Sequence, residues 1–351
     1  MDPGPRIVFV LGAGFTRAFL PQAPLLTDDY DGDALTEKFK SFRHASRILE
    51  LERGKNPNGY INVERLMTRL DGLMPYDFEE AANDELTLLL SEVKRCFRRR
   101  LEEAKKGPFH TEALAAFARY CIENGITCIT FNYDDVFDRA LWEVKQALRG
   151  VSPPYWHPDG GYGFFCRPSE VCIRDAAVFM DTTSMLLLKL HGSINWRVRR
   201  GYSQPYAVDA LVHDEEWLPP AEAVESEREA IANHLEPEPF IVPPVLVKST
   251  LIEQPILRLV WSLAYKALEA AERVTFVGYS LPGTDIAAGF LFGEALRKLP
   301  MSRLRIVNLA KEDADRRTLQ ETYGRVFREI TDAQFEFRDA LEWSRDLVEG
   351  H

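Results

Sequence analysis

Ile7-Val8-Phe9-Val10-Leu11 is an unbroken apolar run that stops at Gly12-Ala13-Gly14. A run this short and this rich in β-branched residues, apolar at every position, fits a strand covered on both faces in a parallel sheet. The pattern recurs at residues 126–131, 185–190, 274–277 and 304–307, each time followed by turn or capping residues. Helical periodicity fills most of the intervals. Over residues 84–106, Leu86, Leu89, Leu90, Val93, Phe97 and Leu101 fall on one face, and similar patterns cover 111–123, 135–148, 253–272, 285–299 and 313–327. Strand then helix, repeated, predicts an α/β protein built on a doubly wound parallel sheet.

Three stretches break the alternation. Residues 35–107 read as consecutive helices, whereas 151–183, with Pro153-Pro154 and Gly160-Gly161, and the acidic, proline-bearing 203–239 read as loop-rich insertions. The sheet is then assembled from discontinuous segments, 1–34, 108–150, 184–202 and 240–351, as a Rossmann-like core carrying a helical insertion and irregular ones.

A chain of 351 residues that is 46% hydrophobic is long enough to bury one large core or two smaller ones. Its formal charge of −11 and pI near 5.3 disfavour general attraction to nucleic acid or an anionic membrane, and favour a small-molecule substrate. The basic run Lys94, Arg95, Arg98, Arg99 and Arg100 reads as a solvated helix face, so direct nucleic-acid binding is not expected. Five cysteines without a C-x-x-C pair suggest neither a disulfide framework nor a zinc ribbon, and His157, His191 and His213 follow no metal spacing. The first apolar run is too short for a signal sequence or a membrane span, so a reducing, cytoplasmic setting without metal or membrane is expected.

In an open parallel sheet, ligands bind beyond the carboxyl ends of the strands. The first such edge is Gly12-Ala13-Gly14-Phe15-Thr16, where absent side chains would let a phosphate approach the backbone. A plain strand-to-helix turn explains it equally well, since Arg17 occupies the position of the third glycine in the dinucleotide fingerprint. The second edge, Thr130-Phe131-Asn132-Tyr133-Asp134-Asp135, supplies a helix cap from Asp134 or Asp135 and more polar groups than one cap needs. At the third, Lys189-Leu190-His191-Gly192-Ser193-Ile194-Asn195, His191 is either structural or a proton acceptor with room beside it at Gly192. The fourth is Gly278-Tyr279-Ser280-Leu281-Pro282-Gly283-Thr284-Asp285, with Thr284 or Asp285 as a cap, and the next strand ends at Asn308.

Taken in order, Gly12-Ala13-Gly14, Asn132-Tyr133-Asp134, His191-Gly192, Gly278-Tyr279-Ser280 and Asn308 resemble the sirtuin-like family. The resemblance is closest to its NAD-hydrolysing bacterial antiphage branch, through Thr130-x-Asn132-Tyr133-Asp134, Lys189-Leu190-His191-Gly192-Ser193 and the 278–285 loop. It implies an NAD hydrolase, with NAD as substrate and no metal, that releases nicotinamide and ADP-ribose and acts in defence by depleting NAD. It implies catalytic roles for Asn132, His191 and Asp134, and NAD contacts from Gly12, Ala13, Gly14, Phe15, Thr16, Gly278, Ser280 and Asn308, while Asp135 caps the helix. Deacylases of the family carry a four-cysteine zinc module and a Gly-Ile-Pro-Asp-Phe-Arg segment. Only Cys166 and Cys172 lie near His191 and that segment is missing, which points away from deacylation. A non-catalytic NAD or ADP-ribose sensing module and an NAD-dependent deacylase or ADP-ribosyltransferase remain as alternatives. An enzyme that consumes NAD needs restraint, so a homo-oligomer or a defence partner such as an ATPase or nucleic-acid sensor is expected. The insertion 35–106 and the aromatic loop 155–165 are the segments available to meet it.

Overall fold

The computed structural model describes residues 6–24, 32–56, 58–70, 80–147, 156–164, 185–198, 208–210, 212–213, 216–217, 239–242, 255–283 and 285–350. In chain order the elements are β1 (Ile7–Leu11), α1 (Ala13–Phe19), α2 (Gly32–Phe39), α3 (Arg43–Gly54), α4 (Val63–Leu70), α5 (Glu80–Ala104), α6 (Thr111–Glu123), β2 (Thr127–Thr130), α7 (Val136–Ala147), α8 (Pro158–Gly161) and β3 (Leu187–Lys189). Short strands follow: β4 (Gly192–Ser193), β5 (Trp196–Val198), β6 (Val208–Ala210), β7 (Val212–His213), β8 (Glu216–Trp217) and β9 (Phe240–Ile241). The chain then makes α9 (Pro255–Glu269), β10 (Arg273–Val277), α10 (Ile286–Ala295), β11 (Leu304–Val307), α11 (Asp313–Val326), β12 (Phe335–Glu336) and α12 (Ala340–Glu349).

Six strands form one parallel sheet in the order β12-β11-β10-β1-β2-β3. Numbered within the sheet, this is the order 3-2-1-4-5-6 of dinucleotide-binding doubly wound proteins, with its switch point between β1 and β10. The apolar runs become strands because helices cover both faces. Val8, Phe9, Val10 and Leu11 are all buried, and Phe9 meets Phe117 of α6 and Trp343 of α12 with ring centroids 5.8 and 5.3 Å apart.

Helices α2–α5 enclose a second core around Leu49, Leu66, Met67 and Leu89, which also takes in Tyr133, Ile194 and Ile241 from beside the sheet. The helical stretch is therefore packed directly against the loops at the sheet's carboxyl edge. In the loop before β3, Trp156, Tyr162 and Phe164 are buried in the main core. Their rings pack on one another and on Trp196 at 5.0–5.9 Å, so these three aromatics of the 155–165 stretch face inward, while Tyr155 and Phe165 lie outside the described residues. Among the described residues, no helix is long and apolar enough to cross a membrane.

Candidate functional site

A cavity of about 810 Å³ opens at the switch point, beyond the carboxyl ends of the strands. Ala13, Gly14 and Thr16 line it after β1, Asn132, Tyr133 and Asp134 after β2, His191 after β3, Gly278, Tyr279 and Ser280 after β10, and Asn308 after β11. Its size is that of an ordinary ligand pocket.

The glycines here let two loops interlock. A Cβ on Gly12 would stand 2.4 Å from the Tyr279 Cα, and one on Gly278, whose φ is +62°, would stand 2.1 Å from the Phe15 nitrogen. The amide of Gly14 donates to the Gly278 carbonyl (2.8 Å), and that of Phe15 to the Gly12 carbonyl (2.9 Å). These two amides of α1 are thus engaged within the protein, where the sequence suggested donors aimed at a phosphate. Likewise, the space beside Gly192 is filled, since a Cβ there would stand 2.1 Å from the Phe240 carbonyl oxygen. Phe15 points away from the cavity into the core, packed on Phe19, Phe117 and Phe137, so its side chain reads as packing rather than as an NAD contact.

Thr130 ties the ends of β1 and β2 together: its hydroxyl donates to the Leu11 carbonyl (2.9 Å) and accepts from the Asn132 amide (3.0 Å). Beyond it lies a directional relay. Asp134 Oδ2 accepts from the Thr16 hydroxyl (2.9 Å), and Thr16 Oγ1 accepts in turn from Asn132 Nδ2 (3.0 Å). Asn132 Nδ2 also donates to the Gly12 carbonyl (2.8 Å). A carboxylate only accepts and a hydroxyl has one hydrogen to give, so both amide hydrogens of Asn132 are engaged and its side-chain oxygen is left as the acceptor. Asp134 is itself buried, and its Oδ1 takes the Val136 amide at the start of α7 (3.0 Å). Burial pushes the Asp134 carboxyl above the usual range, opposed chiefly by the charge of Lys189. Asp135, the expected cap, forms an ion pair with Lys105 at the end of α5 (2.6 Å).

His191 is 2% exposed, with Phe131, Tyr133 and Trp261 around its ring. Its Nε2 has no hydrogen-bond partner, and Asp285 Oδ2 stands 3.8 Å away. Burial lowers its pKa below the ordinary histidine value, with Asp285 opposing, which favours the neutral imidazole. Asp285 caps α10, its Oδ1 accepting from the Ala288 amide at 3.2 Å, while Thr284, the alternative cap, lies outside the described residues.

No family model matches this chain, and no curated protein does. Solved structures of Sir2 proteins are similar to it in overall arrangement. One is a Sir2 homologue in complex with NAD, 14% identical with a TM-score of 0.45, the match covering 99% of this chain and 90% of that one. A second, from work on the mechanism and regulation of Sir2 enzymes, is 14% identical with a TM-score of 0.41, covering 99% and 92%. A third, Sir2Tm bound to a propionylated peptide, is 15% identical with a TM-score of 0.39, covering 98% and 92%. The chemistry of the cleft rests on this chain's own residues.

The site contains more than the strand-end motifs announced. Beneath the 132–134 loop, Lys189 is buried with Asp138 of α7 at 3.0 Å, and its ammonium also donates to the Asp134 carbonyl. Asp138 accepts from the Tyr162 hydroxyl (2.5 Å), which accepts from Asn195 Nδ2 (3.2 Å), and Asn195 Oδ1 accepts from Ser193 (2.5 Å). Lys189, Ser193 and Asn195 stood in the third motif without a role, and a lysine inside an apolar strand end was the signal that could have exposed this network. Asn308 donates from Nδ2 to the Tyr279 carbonyl (3.2 Å), holding the fourth loop, and Ser280 is exposed at the cavity mouth. Among the described residues, no three His, Cys, Asp or Glu side chains gather as metal ligands, and Cys166 and Cys172 lie outside those residues.

Proposed function

We propose that this cleft binds NAD and hydrolyses its bond to nicotinamide. The observation that carries the reading is the meeting, in one cavity at the switch point of a 3-2-1-4-5-6 sheet, of two reactive groups. One is an amide oxygen fixed by a relay, that of Asn132, and the other is a buried imidazole without a partner, that of His191.

The reaction needs little more than this. As the C1′–N1 bond breaks, its electron pair leaves with nicotinamide and cancels the pyridinium charge, while positive charge builds on the ribose. A water oxygen then bonds to C1′, and one proton is released. Asn132 holds the attacking water or the nicotinamide amide through its free oxygen, and neutral His191 accepts the proton from water or a ribose hydroxyl. Asp134 acts at one remove, since both carboxylate oxygens already have donors and its effect passes through Thr16 to Asn132. Ala13, Gly14, Thr16, Gly278, Ser280 and Asn308 line the remainder of the cavity and are assigned to the dinucleotide, with Gly12 letting the first and fourth loops approach closely beside it. We assign no metal to the reaction.

The motif resemblance extends the reading to a defence effector that depletes NAD, inactive at rest and brought to work by self-association or by a partner that meets the α2–α5 helices. Incubating pure protein with NAD tests the chemistry: nicotinamide and ADP-ribose should appear in equal amounts as NAD disappears. A cleft that binds NAD and leaves it intact would instead mark a sensing module.

A further inference from the structure

We propose that Asp285 is a positioning residue for this reaction, a carboxylate that holds and stabilises the His191 imidazole once it has taken a proton. The inference rests on the hydrolase reading above and extends it to a residue on the opposite side of the switch point. His191 follows β3 at one edge of the sheet, whereas Asp285 follows β10, yet both line the same cavity and both are buried.

A buried ring nitrogen without a partner is a costly feature that native structures rarely keep without a use. Nε2 of His191 is such an atom, and the carboxylate oxygen facing it at 3.8 Å is beyond hydrogen-bond range. Neutral imidazole leaves that gap open. Protonated imidazole gains a charge-assisted bond by closing it, so the pair favours the proton-bearing state that appears only during turnover.

The carboxylate is the fixed member of the pair. Its Oδ1 caps α10 through the Ala288 amide and its Oδ2 accepts from the Tyr279 hydroxyl, both at 3.2 Å. Tyr279 in turn stacks on Phe131 at 4.7 Å, and Phe131 meets the edge of His191 at 5.2 Å. The described groups packed against the imidazole are Phe131, Tyr133, Trp261 and Asp285. Tyr133 turns its hydroxyl to the Val242 carbonyl and Trp261 gives its N–H to the Leu190 carbonyl, which leaves Asp285 as the charged neighbour among them.

In the reaction, the water oxygen bonds to C1′ as nicotinamide departs with the electron pair of the broken bond. The water proton passes to His191, the resulting imidazolium sits beside Asp285, and the proton leaves to solvent before the next turnover.

Asp285→Asn separates this role from capping, because asparagine caps a helix as well as aspartate while carrying no charge. The expected result is a fall in kcat for nicotinamide release of about 10²-fold, with little change in KM for NAD. The His191 titration, followed by NMR of labelled histidine, should move to lower pH in the same variant. Asp285→Ser, also a good cap, repeats the test should the asparagine variant fold poorly. Wild-type kcat in a folded, uncharged variant would overturn the proposal whatever the titration shows. Absence of NAD cleavage by the wild-type protein would count against the hydrolase reading, and the titration would then decide for or against the pair.

Discussion

Thr16 on α1 and Asp134 beyond β2, 118 residues apart in the chain, share a buried hydrogen bond of 2.9 Å that sets the polarity of the site. Because Thr16 gives its only hydrogen to Asp134, it must accept from Asn132, and the Asn132 oxygen is turned outward. Thr16→Val keeps the shape and removes the relay. The expected outcome is a loss of about 10²-fold in kcat for nicotinamide release, the scale on which misplacing a positioned group acts. A folded Thr16→Val protein with parental turnover would show that the relay does not orient Asn132.

Lys189 and Asp138 form the buried pair under the same loop. Burial pushes the Asp138 carboxyl above the usual carboxylate range, with the Lys189 charge the main opposing influence. Lys189→Met leaves that acid without its partner and the Asp134 carbonyl without a donor, so urea unfolding should show a loss of roughly 3–5 kcal/mol. The double variant Lys189→Met with Asp138→Asn should lose clearly less than the sum of the singles, since the partners are coupled. Strict additivity would contradict the pairing.

Much of this fold is legible in the sequence because buried parallel strands leave no polar alternation. The runs at 7–11 and 304–307 coincide with β1 and β11, and the helix expected at 111–123 is α6. Strand β12 escapes notice because two residues, Phe335 and Glu336, are too few to show a period. Helix α12 had its signals, with Asp339 accepting from the Leu341 amide as a cap and Trp343 buried beneath, but no apolar run precedes it to mark a strand–helix unit. In the site, polar residues at strand ends could be picked out singly. Their connections could not, because Lys189 and Asp138 lie 51 residues apart and only the sheet order brings them together. The glycines were legible as glycines, but their purpose was not: Gly12 and Gly278 make room for each other's loops, a relation that no local pattern encodes.

Stability should also carry the mark of His191. Its pKa is lowered in the folded protein by burial, so the folded state binds fewer protons than the unfolded chain as pH falls below about 6.5, the ordinary histidine value. The contribution is present above that pH and is lost as pH falls through the depressed folded value. Asp134 and Asp138, with raised values, work in the opposite direction. Urea midpoints measured between about pH 7.5 and 5.5, on either side of that ordinary value, should therefore fall more steeply for the wild type than for His191→Gln. Equal slopes would show that the buried imidazole is not held neutral.

The central claim is that Asn132 and His191 carry out NAD cleavage in this cleft. Its most direct test is nicotinamide release, followed by chromatography, from NAD incubated with the wild type and with folded Asn132→Ala and His191→Ala proteins under identical conditions. The account predicts steady release by the wild type and a reduction of about 10²–10⁴-fold in each variant. Near-parental release by both variants, or none from the wild type, would contradict it.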